Sequence, residues 1–256
     1  AIRIKPDYDF AYFQRAYAKY YLKDYYGAIE DYSKAIELNP DYAYAYSNRG
    51  LAKDKLKDYY GAISDYSRAI ELNPDYAYAY YNRGITKDEL KDYYGAISDY
   101  SKAIELKPDF ASAYSNRGLV KYNLKDYYGA INDYSKAIEL NPDYVNAYSN
   151  RGLAKDKLKD YYGAISDYSR AIELNPDYAY AYYNRGITKD ELKDYYGAIS
   201  DYSKAIELKP DFASAYSNRG ITKENLRDLN GACADWKKAA SLGLQNSAQW
   251  VRDQCN

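Results

Sequence analysis

The chain of 256 residues contains no histidine. That absence removes the Ser-His-Asp and Cys-His nucleophile pairs, the usual imidazole metal ligand and the side chain that titrates near neutrality. Cysteine is scarce: Cys233 and Cys255 are too few for a disulfide scaffold or a four-thiolate zinc site. No apolar run approaches the roughly 18 residues of a membrane-spanning helix, so no membrane partner is expected. Neither sign of charge dominates. Lys plus Arg is 36 and Asp plus Glu is 37, a net charge of −1, without the basic stripe of a nucleic-acid binder. No nucleophile–base pair, Gly-rich phosphate loop or metal-ligand cluster appears, so the chain reads as a non-enzyme without cofactor or metal. Adjacent carboxylates such as Asp88–Glu89 point apart on a helix, as a solvated face requires.

What is abundant is tyrosine, 39 residues against only 4 Phe and 2 Trp. Tyrosine carries a polar end, so the core is amphipathic. The seven prolines, Pro6, Pro40, Pro74, Pro108, Pro142, Pro176 and Pro210, are all 34 residues apart. A fixed period of that length marks a stack of similar supersecondary units. With proline as position 32, seven complete units fill 9–246. Ser47–Gly118 recurs without change as Ser149–Gly220, three units later; a recent duplication and an engineered construction both account for it.

Each unit reads as two helices. In the second unit, Ala45, Tyr46, Arg49, Gly50, Ala52, Lys53 and Leu56 form a stripe at helical spacing, which predicts a helix over Ala43–Leu56. Lys57–Asp58 interrupts it, with Asp58 set to cap a second helix over Tyr60–Leu72, ended by Asn73–Pro74. Neither is long enough to stand alone in water, so each must bury its stripe on its partner and on the next unit. Glycine recurs at position 19, in the first turn of the second helix, where it costs about 1 kcal/mol against alanine. Close approach to a neighbouring tyrosine and mere tolerance both explain it.

Small residues at positions 8, 20 and 27 (Gly50, Ala62, Ala69) oppose aromatics at 4 and 24 (Tyr46, Tyr66). This pattern, with proline at 32, resembles the tetratricopeptide repeat over essentially the whole chain. The resemblance implies an all-α fold, a right-handed superhelical solenoid whose first helices line a concave groove. Two positions depart from the family: arginine replaces the common leucine at 7 and lysine the common tyrosine at 11.

Every unit carries arginine at 7 and aspartate at 23. A buried guanidinium needs a carboxylate, which it grips with two donors. Internal clasps are therefore expected for Arg49 with Asp65, Arg83 with Asp99, Arg117 with Asp133, Arg151 with Asp167 and Arg185 with Asp201. The lysine at 11 (Lys53, Lys87) reads as a stem lying near that clasp.

The family geometry assigns positions 2, 5, 6, 9, 12 and 13 to the groove. The candidate peptide-binding aromatics are Phe10, Phe13, Tyr17, Tyr44, Tyr78, Tyr81, Tyr180 and Tyr183. Position 6 supplies an amide ladder, Asn48, Asn82, Asn116, Asn150, Asn184 and Asn218, suited to an extended backbone because each amide donates and accepts. Tyrosine adds contact area at low entropy cost. The family subset that holds chaperone C-terminal carboxylates has basic residues at positions 2 and 5, which this chain lacks, so no such clamp is expected. Asp54, Asp88, Glu89, Asp156, Asp190, Glu191 and Glu224 outnumber Lys55 and Lys157 in the groove, which points to a basic or aromatic segment.

Residues 1–8 match the end of a second helix and read as the remnant of a preceding unit, whose exposed apolar end invites self-association. Residues 247–256 read as a capping helix, with Ala248, Val251 and Cys255 on one face. Cys233 and Cys255 lie at matching distances from the intervening turn; a disulfide and two free thiols both fit. No compartment is assigned: a soluble protein of bacterial type, cytoplasmic or exported, satisfies the sequence. The expected function is a non-catalytic scaffold that binds an extended peptide or partner segment in the groove. The alternative is a structural, self-assembling array without a cognate ligand, which the near-identity of the units favours.

Overall fold

The structure is a computed structural model that describes residues 7–255. Among the described residues there are fifteen α-helices and no strand. The chain divides into two compact units, one ending at Asp126 and one starting at Tyr127. The first holds α1 (Asp9–Tyr21), α2 (Tyr25–Leu38), α3 (Ala43–Lys55), α4 (Tyr59–Leu72), α5 (Ala77–Glu89), α6 (Tyr93–Leu106) and α7 (Ala111–Asn123). The second holds α8 (Tyr127–Leu140), α9 (Val145–Lys157), α10 (Tyr161–Leu174), α11 (Ala179–Glu191), α12 (Tyr195–Leu208), α13 (Ala213–Asn225), α14 (Leu229–Ser241) and α15 (Gln245–Gln254). Within each unit every helix packs on the next, and α15 packs on α14. This is an all-α repeat solenoid. Of the expected remnant at 1–8, all but Asp7 and Tyr8 lies outside the described residues.

Each second helix starts where the sequence places a cap. The side chains of Asp24, Asp58, Asp92, Asp160, Asp194 and Asp228 accept the N–H of the glycine three residues on. Such a cap is worth about 1 kcal/mol. It also explains the glycine at position 19, and corrects the expected tyrosine neighbour: a Cβ on Gly61 would fall on the Asp58 carboxylate. The turn before the cap carries a feature that sequence reading missed. Lys57 has a φ of 63° and its equivalents lie between 62° and 65°, the left-handed region normally left to glycine. Its N–H donates to the Asp54 carbonyl (2.9 Å) and that of Asp58 to the Lys53 carbonyl (2.9 Å), which closes the first helix of the pair.

The core is a repeated aromatic-on-glycine contact. Tyr66, Tyr100, Tyr168 and Tyr202 are each about 1% exposed, and each ring lies over the glycine of the preceding helix. Burying one such ring contributes about 1.5–3 kcal/mol. A Cβ on Gly50 would come 2.8 Å from Tyr66 Cε1, yet the first repeat holds Ala16 in the equivalent place, packed with Tyr32. Gly50→Ala should therefore cost only about 1 kcal/mol in urea unfolding. The overpacking penalty of about 1–3 kcal/mol is partly offset by about 1 kcal/mol of helix propensity. A stabilised variant would mean that the ring yields freely.

Candidate functional site

The charges that recur at positions 7, 11 and 23 form three-part clusters between helices. Arg49 on α3 donates from Nε to Asp65 Oδ2 (2.9 Å) and from Nη2 to Oδ1 (2.7 Å) on α4. Lys53 does more than lie alongside: its Nζ is 2.8 Å from Asp65 Oδ2. The third guanidinium nitrogen, Nη1, reaches back one repeat to Ser33 Oγ (3.0 Å), while Tyr46 stacks 5.5 Å below the guanidinium. The buried member is the carboxylate. The Asp65 side chain is 5% exposed, against 18% for Arg49, so the expectation of a buried guanidinium is corrected: it lies at the edge, where it can bridge two repeats. The same pairings hold for Arg83 with Asp99, Arg151 with Asp167 and Arg185 with Asp201. Arg117 and Asp133 belong to different units, and their pairing stays an expectation. Burial pushes the Asp31 carboxyl up, but the hydrogen bonds and charges of Arg15 and Lys19 outweigh it and hold it below the ordinary value.

Sister first helices neighbour one another, α1, α3, α5 and α7 in one unit and α9, α11 and α13 in the other. The candidate aromatics on this face split into two classes. Phe10, Tyr17, Tyr44, Tyr78 and Tyr180 are exposed. Phe13 instead packs on Tyr32 and Tyr42 (ring centroids at 5.6 and 5.0 Å). Tyr81 and Tyr183 pack on Phe110 and Phe212, each at 4.6 Å. Position 5 thus faces the aromatic at the start of the next first helix and seals the joint between repeats. Tyr78 and Tyr180 already hold a cation: Lys107 and Lys209 donate to their hydroxyls at 2.8 Å.

The asparagine ladder is not uniform. Asn48 donates to the Tyr44 carbonyl one turn back (2.7 Å). Asn116 and Asn218 donate to the hydroxyls of Tyr81 and Tyr183, at 3.1 and 3.2 Å. The side chains of Asn82, Asn150 and Asn184 make no hydrogen bond among the described residues. A second inter-repeat bond escaped the sequence reading. Thr86, fully buried at position 10, donates to Asp54 Oδ1 of the preceding repeat (2.8 Å), as Thr188 does to Asp156 and Thr222 to Asp190. The signal was present, since position 10 alternates between threonine and Ala52, Val120 or Ala154. Burial pushes the carboxyls of Asp54, Asp88 and Asp190 up.

Two further features lie away from this face. Tyr26, Tyr60 and Tyr94 in one unit, and Tyr128, Tyr162 and Tyr196 in the other, are 72–78% exposed near the starts of second helices. Position 18 carries them in six units, a regularity visible in the sequence. Cys233 and Cys255 are joined as a disulfide, Cα–Cα 5.6 Å, between α14 and the end of α15. Among the described residues no group of three or more His, Cys, Asp or Glu is placed to hold a metal ion. No described helix is long and apolar enough to cross a membrane.

Comparison with known proteins agrees with this geometry. A tetratricopeptide repeat model matches residues 43–76, 111–144, 145–178 and 179–212. Related repeat models match 17–57, 89–125 and 66–98. Similar solved structures include YrrB, described as a TPR protein with an unusual peptide-binding site. It is 27% identical, with 72% of this chain and 95% of that one covered and a TM-score of 0.63. MamA is 30% identical over 65% of this chain and 96% of its own, with a TM-score of 0.60. The C-terminal part of a TPR repeat-containing protein from Cytophaga hutchinsonii shares the fold at 21% identity, covering 93% and 98% of the two chains with a TM-score of 0.76. No curated protein matches the chain significantly.

Proposed function

The chain belongs to the tetratricopeptide repeat family, a family of protein-interaction scaffolds, and from that premise we propose that its first-helix face binds an extended peptide segment of a partner protein. One observation carries the reading. In one unit the half-exposed rings of Tyr44 and Tyr78 stand on first helices with the unengaged amide of Asn82; in the other, Tyr180 stands with the unengaged amides of Asn150 and Asn184. Amides without internal partners can pair with a strand-like backbone, and tyrosine rings supply rigid contact area beside them. The repeat fold is generally non-catalytic, and YrrB is a relative with a peptide-binding site. Display of a proteome-derived peptide library against the full chain tests it. Selected peptides should lose about tenfold or more in affinity on Tyr44→Ala with Asn82→Ala and Asn184→Ala, with the thermal midpoint retained. A library that yields no ligand, or ligands indifferent to those changes, overturns the reading.

A second reading, an array that packs on its own copies, draws on the exposed tyrosines at position 18, such as Tyr60 and Tyr94. Sedimentation showing a monomer at high concentration would dismiss it.

A further inference from the structure

The chain treats its carboxylates in two ways. Those buried between paired helices are neutralised: Asp201 faces both Arg185 and Lys189, at 2.7 and 2.8 Å. One repeat face does the opposite. A cavity of about 150 Å³ between α11, α12 and α13 is lined by Ile187, Asp190, Glu191, Tyr202, Asn218 and Ile221. Neither Asp190 nor Glu191 forms an ion pair among the described residues; Asp190 accepts only the Thr222 hydroxyl, through Oδ1 (2.8 Å). Burial, with no compensating cation, pushes the Asp190 carboxyl up. The floor is Tyr202, which burial and then the charge of Asp190 keep protonated. The walls are the two isoleucines.

The same residues recur three repeats earlier as Ile85, Asp88, Glu89, Tyr100 and Asn116, with Leu119 in place of Ile221. There Val120 stands where Thr222 would, so Asp88 accepts no hydroxyl at all among the described residues. That carboxylate has lost the hydroxyl donor and has only the charge of Lys91 acting against its burial.

We propose that this notch, and its counterpart at Asp88 in the other unit, each take one lysine or arginine side chain of a bound segment, its aliphatic stem against the apolar walls and its charged head at the aspartate carboxylate, with the glutamate at the notch's edge. The inference rests on the peptide-binding reading above and names the chemistry of the peptide. Long basic side chains pair an apolar stem with a charged end, and the notch offers both surfaces in that order. The volume suits a single side chain, well under the roughly 300–1,000 Å³ of a drug-sized ligand site. A hard metal cation fits less well, since calcium takes about 6–8 oxygen ligands and half of this lining is apolar or aromatic. Charge complementarity also predicts affinity that falls with salt.

Fluorescence polarisation with a labelled lysine–glycine alternating peptide tests the proposal on the full chain. Its acetyl-lysine and glutamate counterparts serve as further probes. The variant Asp88→Asn, Glu89→Gln, Asp190→Asn, Glu191→Gln should bind the lysine peptide at least about tenfold more weakly. A control with the same charge change on second helices, Glu71→Gln, Glu105→Gln, Glu173→Gln, Glu207→Gln, should change it less than about twofold. Asparagine at 190 can still accept the Thr222 hydroxyl, so the fold is retained, as circular dichroism would verify. The methyl resonances of Ile187 and Ile221 should shift on titration. Equal weakening by both variants, equal binding of the acetyl-lysine peptide, or displacement of the peptide by micromolar calcium overturns the notch. If the lysine peptide fails while library-selected neutral peptides bind through Tyr44 and Asn82, the notch falls and the groove reading stands. If neither binds, both fall.

Discussion

Asp65→Ala should lower the free energy of unfolding by about 3–5 kcal/mol, the range for breaking one side of a buried ion pair. The size follows from what remains. Arg49 and Lys53 both end on this carboxylate, and both are only about a fifth exposed, at 18% and 20%, so neither can rehydrate fully. Two like charges then face each other with no anion between them. A surface pair provides the contrast: Arg68–Glu71, with side chains 45% and 64% exposed, should change stability by less than about 1 kcal/mol when Glu71 is truncated. Asp65→Asn keeps the shape and one acceptor and should fall between the two. Thermal and urea unfolding followed by circular dichroism decide the matter, and hydrogen exchange should locate the loss in α3 and α4, because repeats couple chiefly to neighbours. An Asp65→Ala protein that melts like the parent would mean that the cluster contributes nothing net.

The first of these clusters, at Asp31, also responds to acid. At Asp31 the folded-state carboxyl lies below its ordinary value. Its stabilisation is complete above the unfolded-state pKa and is lost as pH falls through the depressed folded-state value. The contribution of the Asp31 cluster is therefore retained in mild acid and lost only at lower pH.

Serine at both Cys233 and Cys255, or reduction of the parent, should destabilise the terminal helix pair by about 3 kcal/mol. The bridge spans 22 residues of sequence, and closing a loop of that length removes about this much entropy from the unfolded chain. The readout is local. Both tryptophans of the chain are at this end, with Trp236 and Trp250 rings 5.4 Å apart, so their emission reports α15 leaving α14. The tryptophan-detected midpoint should drop on reduction while circular dichroism, which averages over all repeats, moves less. Alkylation of the denatured, unreduced protein should find no free thiol. A tryptophan signal indifferent to reductant would show that α15 is held by packing alone, through contacts such as Ser247 to Ser217 (3.1 Å).

The helices, their caps and the glycine–tyrosine contact were legible because each obeys a short-range rule. Asp58 caps because it stands three residues before Gly61 at a helix start, and Gly50 is small because Tyr66 of its own hairpin needs the space. The pairing of Arg49 with Asp65 was legible for a related reason: both recur in every unit, so the partner is never more than one hairpin away. The face assigned to binding was less legible. The groove aromatics read as one set, yet Tyr81 at position 5 turns inward to cover Phe110 while Tyr78 at position 2 stays exposed. The asparagines read as one ladder, yet the Asn48 side chain bonds its own helix, that of Asn116 bonds the preceding repeat and that of Asn82 bonds nothing among the described residues.

The order of amino acids alone determined the period, the all-α class and the types of residue that would meet, since propensity, capping and steric notches act within a few residues of chain. Tertiary structure alone decided which donor takes which acceptor: Arg49 reaching Ser33, Thr86 reaching Asp54, Lys53 joining a carboxylate it was expected only to pass. Those choices depend on how one helix lies against the next, a few ångströms of packing that no spacing along the chain encodes.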